Sequence, residues 1–186
     1  MIDISNLEQA VNQLSGEAYP LEQWHPEHCG EMDLVIKANG QWIHQGSAIK
    51  RDKLIKLFSK VLIKQGQDFF LVTPAEKVKI KVDDAPFLIV DFSLSVNQHK
   101  QQVITLHSNI GDDIPLARPY SLELRGGEQR PYINLWRGLD ALIERNTFYQ
   151  LIELALAQQG ETSDDVELST LMLHSGDEKF SLGCIE

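Results

Sequence analysis

Apolar residues fall into two rhythms along this chain, one near 3.6 residues and one of two. Leu54, Ile55, Leu57, Phe58, Val61 and Leu62 keep the helical spacing. With Asp52 placed to cap the start and Gly66 the end, they predict a core helix running to about Gln65. Leu139, Leu142, Ile143, Phe148, Leu151, Ile152 and Ala155 predict a second helix, capped by either Asp140 or Asn146. A shorter one begins at the capping box Ser5-Asn6-Leu7-Glu8, turns Leu7, Ala10, Val11 and Leu14 to one face, and ends near Gly16.

The two-residue rhythm predicts strands. Residues 33–38 and 41–44 flank Asn39-Gly40, a pair suited to a type I′ hairpin turn because both its central positions need positive φ. Residues 69–73 and 77–82 are joined around Pro74. Leu88, Val90, Phe92, Leu94 and Val96 alternate with more polar positions, and the chain returns along 102–107. Residues 121–125 pair with 131–136 around Gly126-Gly127, and 166–174 with 179–184 around Ser175-Gly176-Asp177. Residues 17–31, with Pro20, Pro26 and Gly30, have no regular period.

One segment recurs. Shifting residues 41–66 forward by 94 positions superposes seven identities: Trp42 on Trp136, Ile49 on Ile143, Arg51 on Arg145, Leu57 on Leu151, Leu62 on Leu156, Gln65 on Gln159 and Gly66 on Gly160. A duplicated hairpin-helix-hairpin unit is the economical reading. The expected class is α+β, with antiparallel sheets and helices packed on one side of each. The expected units are 1–85 and 86–186, facing each other across a shared interface.

At 186 residues, 42% hydrophobic and 24% charged, the composition is that of an ordinary globular protein. The formal charge of −10 argues against a nucleic-acid backbone, whose binding depends on clustered Lys and Arg. Lys77, Lys79 and Lys81 alternate with Val78, Ile80 and Val82, the solvated face of a half-buried strand. No apolar run is long enough to cross a bilayer and no leader pattern opens the chain, so a cytoplasmic protein with Cys29 and Cys184 reduced is expected.

Cys29-Gly30 with Asp33, the run NGQWIHQGSAIKR at 39–51, LVTPAEKV at 71–78, DDAPF at 83–87, RPYINL at 130–135 and GLDALIERNTFYQLIEL at 138–154 together resemble a bacterial family known as domain of unknown function 1285. The resemblance implies a two-part protein with repeated structural motifs and a link to signal transduction. It transfers no catalytic residue. One departure is Ala48, where similar proteins often carry proline; it bears on the turn before the helix.

Arg51 and Arg145 each fall at a helix start, where free amides and a planar guanidinium suit phosphate or carboxylate. The structural alternative is that each ties its helix to a carboxylate or carbonyl of the same chain. His25, His28 and Cys29 are a candidate metal set of poor spacing, since adjacent His28 and Cys29 do not readily face one tetrahedral ion. Cys29 beside His25 or His44 also has the makings of a nucleophile and base, against a buried inert thiol. Ser47 lacks a nucleophile elbow, and Asp83-Asp84 and Gly111-Asp112-Asp113 lie where turns favour Asp. Gly126-Gly127 lacks the Lys-Ser/Thr of a phosphate loop, so no cofactor is implied, and Trp42 and Trp136 read as core anchors.

The leading expectation is a non-catalytic cytoplasmic module taking a small anionic ligand or a protein partner in a crevice between the repeats, lined by Arg51, Arg145, Ser47 and His44. The alternatives are a metal-assisted hydrolase using the region from His25 to His44, and an architectural subunit pairing through exposed edge strands. The oligomeric state is not set by the sequence.

Overall fold

The computed structural model describes residues 4–12, 19–26, 28–160 and 170–184, apart from the side chains of Glu22, His28 and Cys184. The chain divides into two compact units, the first Met1–Pro86 with Arg137–Leu139, the second Phe87–Trp136 with Asp140–Glu186.

In the first unit, α1 (Ile4–Asn12) precedes β1 (His28–Ile36), β2 (Trp42–His44) and β3 (Ser47–Ala48). Next come α2 (Asp52–Ser59), β4 (Leu62–Gln65), β5 (Asp68–Val72) and β6 (Glu76–Val82). The sheet runs β3-β2-β1-β6-β5-β4, antiparallel except where β1 lies parallel to β6. The expected hairpin forms, with a different turn. Its centre is Ala38-Asn39, closed by Gly40 N–H on the Lys37 carbonyl at 2.8 Å, and Gly40 takes φ 78°, as in a three-residue loop. Asn39 Oδ1 accepts from Gln41 N at 3.1 Å, which supports that local geometry.

The expected core helix is shorter than its apolar spacing suggests. It stops at Ser59, and Leu62–Gln65 is a strand paired with β5, so Gly66 (φ 62°) turns a hairpin and caps no helix. Val61 and Leu62 satisfy both rhythms. Pairing Leu62 with buried Leu71 decides between them. Nor does Asp52 cap α2; Arg51 occupies that position without a side-chain cap bond. Trp42 and Phe58, both essentially unexposed, stack at 6.5 Å between ring centroids and anchor a core with Leu34, Ile36 and Leu71.

The second unit holds β7 (Phe87–Val96), β8 (Gln102–Ser108), β9 (Asp113–Pro115), β10 (Ser121–Arg125), β11 (Arg130–Asn134) and β12 (Asp140–Ile143). After them come α3 (Arg145–Gly160), β13 (Thr170–Ser175) and β14 (Glu178–Cys184). The six-stranded sheet runs β10-β11-β12-β7-β8-β9, with β12 parallel to β7. Residues 139–143, expected as the first turn of the helix, are instead committed to this strand and its approach, because Ile143 pairs with Ile89. Gln158 on α3 clamps the backbone of His174, donating to its carbonyl at 3.0 Å and accepting from its N–H at 2.8 Å. The expected Gly16 cap and the start of the strand at 166–169 lie outside the described residues.

Adding six to each label of the first sheet reproduces the second: 3-2-1-6-5-4 becomes 9-8-7-12-11-10, with the parallel pair again in the middle. The units therefore share a strand order. Their helices do not correspond. The helix α2 joins β3 to β4, whereas α3 follows β12. The 94-residue offset aligns a strand residue, Leu62, with a helical one, Leu156. The offset also sets Trp42 of β2 on Trp136, which precedes β12, so the matched letters fall on elements that do not correspond and the duplication lies in the sheets.

Candidate functional site

A cleft of about 490 Å³ opens in the first unit. Its lining is in part apolar and aromatic: Leu21, from the short helical turn Leu21–Gln23, then Trp24 and Pro26 from the extended segment after it. Tyr19 backs Trp24 at 6.1 Å between ring centroids. The lining also holds three cations, Lys64 from β4, Lys77 from β6 and Arg137 from the returning segment. No carboxylate is among the described residues lining it. In a chain of net charge −10 that is a local reversal of sign.

Strand register explains the convergence. Parallel pairing places Cys29 beside Lys77, and antiparallel pairing places Val72 on the other side of Lys77, so three lining residues form one row across the sheet. Lys77 Nζ donates to Gln65 Oε1 and lies 4.3 Å from the centroid of the Phe70 ring. Lys64 Nζ lies 5.5 Å from that of Phe69. Aromatic faces thus help position both ammonium groups on the cleft lining.

Arg137 has φ 57° and ψ 29°, a left-handed conformation costly for an arginine, and it donates through Nη1 to the Lys60 carbonyl beyond the end of α2. Gly138 follows with φ 71°, and a Cβ there would lie 3.6 Å from the Lys64 carbonyl oxygen. Two successive left-handed residues deliver the guanidinium to the cleft. Strain held in place by its surroundings is a feature of binding sites.

The residues singled out in the sequence are distributed differently. Arg51 donates to both carboxylate oxygens of Glu8, at 3.1 and 3.0 Å, and tethers the start of α2 to α1. Its surroundings form a hollow of about 410 Å³ where Arg51 and Lys53 are balanced by Glu8 and Asp52. Arg145, in the second unit, donates Nε to Tyr149 Oη at 2.9 Å and lines a hollow of about 520 Å³ where Arg130 and Arg145 are balanced by Glu128 and Glu144. His44 and Ser47 face each other across β2 and β3. His25 and Cys29 meet in the basic cleft, Cys29 as an exposed free thiol. His28 opens β1. Among the described residues no three His, Cys, Asp or Glu side chains gather as a metal site. Lys64, Lys77 and Arg137 were not legible as a group, being up to 73 positions apart.

Family models describing the N-terminal and C-terminal domains of DUF1285, a protein of unknown function, match residues 19–85 and 86–182. The chain belongs to the DUF1285 family. A solved DUF1285 protein from Silicibacter pomeroyi is 31% identical over 96% of this chain and 95% of its own, with a TM-score of 0.76. Another, from Shewanella baltica, is 30% identical over 66% of this chain and 91% of its own, with a TM-score of 0.54. Among curated proteins none matches. No helix among the described residues is long and apolar enough to cross a membrane.

Proposed function

We propose that this DUF1285 protein is a binding module, without catalysis at this site, for a small organic anion held in the cleft of the first unit. The observation that carries the reading is the composition of that cleft's lining: three cations, no described carboxylate, and the apolar residues Leu21, Trp24 and Pro26. The two hollows around Arg51 and Arg145 each pair two cations with two acids, which favours the cleft over either as an anion site. An anion with a flat or apolar body would set its charge against Lys64, Lys77 and Arg137 and rest its body on Trp24. Such a site suits a sensor of a carboxylated or phosphorylated metabolite, in keeping with a role in signalling.

The test is a thermal-shift series with citrate, pyrophosphate, AMP and an aromatic carboxylate, followed by calorimetry on any that respond. A saturable rise in Tm is expected for at least one. It should shrink in Lys77→Ala and Arg137→Ala and persist in Arg51→Ala, since a ligand binding only the folded state stabilises it by mass action. No response across the series, or a response indifferent to the cleft substitutions, would reject the reading.

A further inference from the structure

On the solvated face of the β7-β8-β9 meander, three side chains form one hydrogen-bonded line. Register sets His107 on β8 opposite Asp113 on β9 and Asp91 on β7, with Ser93 two residues along β7 from Asp91 and so on the same face. Asp113 Oδ1 lies 2.7 Å from His107 Nδ1, and Ser93 Oγ lies 3.0 Å from His107 Nε2. A carboxylate can only accept, so in the neutral ring Nδ1 carries the proton toward Asp113 and Nε2 accepts from the Ser93 hydroxyl. That is the polarity of a serine nucleophile, its base and the acid that orients the base.

The neighbouring backbone adds a donor. Beyond Ile89, β7 has β8 as its one strand partner among the described residues, so the edge of residues 91–96 is open. Asn97 N–H bonds the Gln101 carbonyl, and alternation from that pair turns the amides of Ser93 and Ser95 toward β8 and those of Phe92, Leu94 and Val96 outward. Phe92 N–H is accepted by its neighbour Asp91 at 2.8 Å, as that alternation requires. The Leu94 amide, next after Ser93, therefore faces the open edge, the position from which a backbone N–H meets an oxyanion in serine hydrolases.

We propose that Ser93, His107 and Asp113 form an acyl-transfer site for small activated esters. Ser93 Oγ bonds the ester carbonyl carbon and gives its proton to His107 Nε2. The ester C–O bond then breaks, and that proton passes to the departing alcohol. Water, deprotonated in turn by His107, cleaves the acyl-serine to release the carboxylic acid and restore the serine. Asp113 acts as a positioning residue through the imidazole. Its side chain is 75% exposed, and in so polar a setting the site suits good leaving groups rather than amides. The proposal uses none of the residues of the basic cleft, so its failure leaves the anion-binding reading intact.

The experiment treats the full-length protein with a fluorophosphonate probe, maps the adduct by tandem mass spectrometry, and follows hydrolysis of p-nitrophenyl acetate. The adduct is expected on Ser93, and Ser93→Ala or His107→Gln should slow p-nitrophenolate release at least tenfold. Asp113→Asn should lower kcat severalfold with KM little changed, and Asp113→Glu should recover part of the loss. No adduct, an adduct on another residue, or wild-type hydrolysis by Ser93→Ala protein would overturn the assignment. These side chains sit on a solvated face, and matching thermal melts would show that the variants remain folded.

Discussion

Arg51 grips Glu8 with both arms of its guanidinium, at 3.1 and 3.0 Å, so that the first residue before α2 is fastened to the middle of α1. The pair is partly exposed, 62% for the arginine side chain and 27% for the glutamate, and water screens much of its attraction. Its two-pronged geometry places it toward the upper end for surface pairs, about 0.5–1 kcal/mol. Arg51→Ala and Glu8→Ala should each cost about that much, and the double variant little more than either alone. A urea-denaturation cycle at low and high salt measures it; strictly additive losses would mean the contact contributes nothing to folding.

Phe58 and Trp42 stack in the core of the first unit, but the Trp42 indole nitrogen is buried without a hydrogen-bond partner among the described residues. Phe58→Ala should cost about 3–5 kcal/mol through lost contacts and the cavity left behind. Trp42→Phe removes volume and an unpaired donor together, and the second change offsets part of the first. Its cost is expected to stay below about 2 kcal/mol. Thermal or urea unfolding of both variants checks the order, and a Trp42→Phe loss equal to that of Phe58→Ala would contradict it.

Arg137 sets stability against binding. Glycine takes a left-handed backbone at little steric cost, so Arg137→Gly should be about 1 kcal/mol more stable than Arg137→Ala, although both lose the bond to the Lys60 carbonyl. Both should weaken anion binding to a similar degree. Unfolding free energies paired with calorimetric titration separate the two effects. Equal stabilities would mean that the backbone relaxes when the side chain is gone.

Arg125 donates to buried Asp140 at 3.1 Å and to Glu123 at 3.1 Å. The bond to Asp140 raises the guanidinium pKa above its ordinary value, against the opposing effect of burial. A raised cationic pKa contributes stability that is complete below the unfolded value and is lost only as pH climbs through the folded one. For arginine that range lies beyond ordinary buffers. Asp140→Asn should therefore cost about 1–2 kcal/mol, with no change arising from Arg125 between about pH 6 and 9. Denaturant titrations across that range check it, and a cost that tracks the protonation of Arg125 within it would contradict the assignment.

How far the fold was legible depended on whether a segment obeyed one rhythm or two. The Lys77-Val78-Lys79-Ile80 alternation fits only a strand, and Val78 and Ile80 are buried within β6 as that pattern requires. Residues 61–65 fit helix and strand alike, and tertiary pairing with β5 settled the matter. The cleft was less legible still. Cys29 and Lys77 become neighbours only because β1 runs parallel to β6, a long-range pairing with no local sequence signal, and Arg137 arrives from a segment whose sequence neighbours belong to the other unit. Ser93, His107 and Asp113 looked like ordinary strand and turn residues until register aligned them.

The excursion of Arg137–Leu139 makes the chain pass from one unit to the other three times, after Pro86, after Trp136 and after Leu139. A fragment ending at Pro86 would keep Lys64 and Lys77 and forfeit Arg137. A gene cut at the family-model boundary would thus encode a sheet with an unfinished pocket, and recombination that swaps one half for another must carry Arg137–Leu139 across the join to keep the pocket's lining whole.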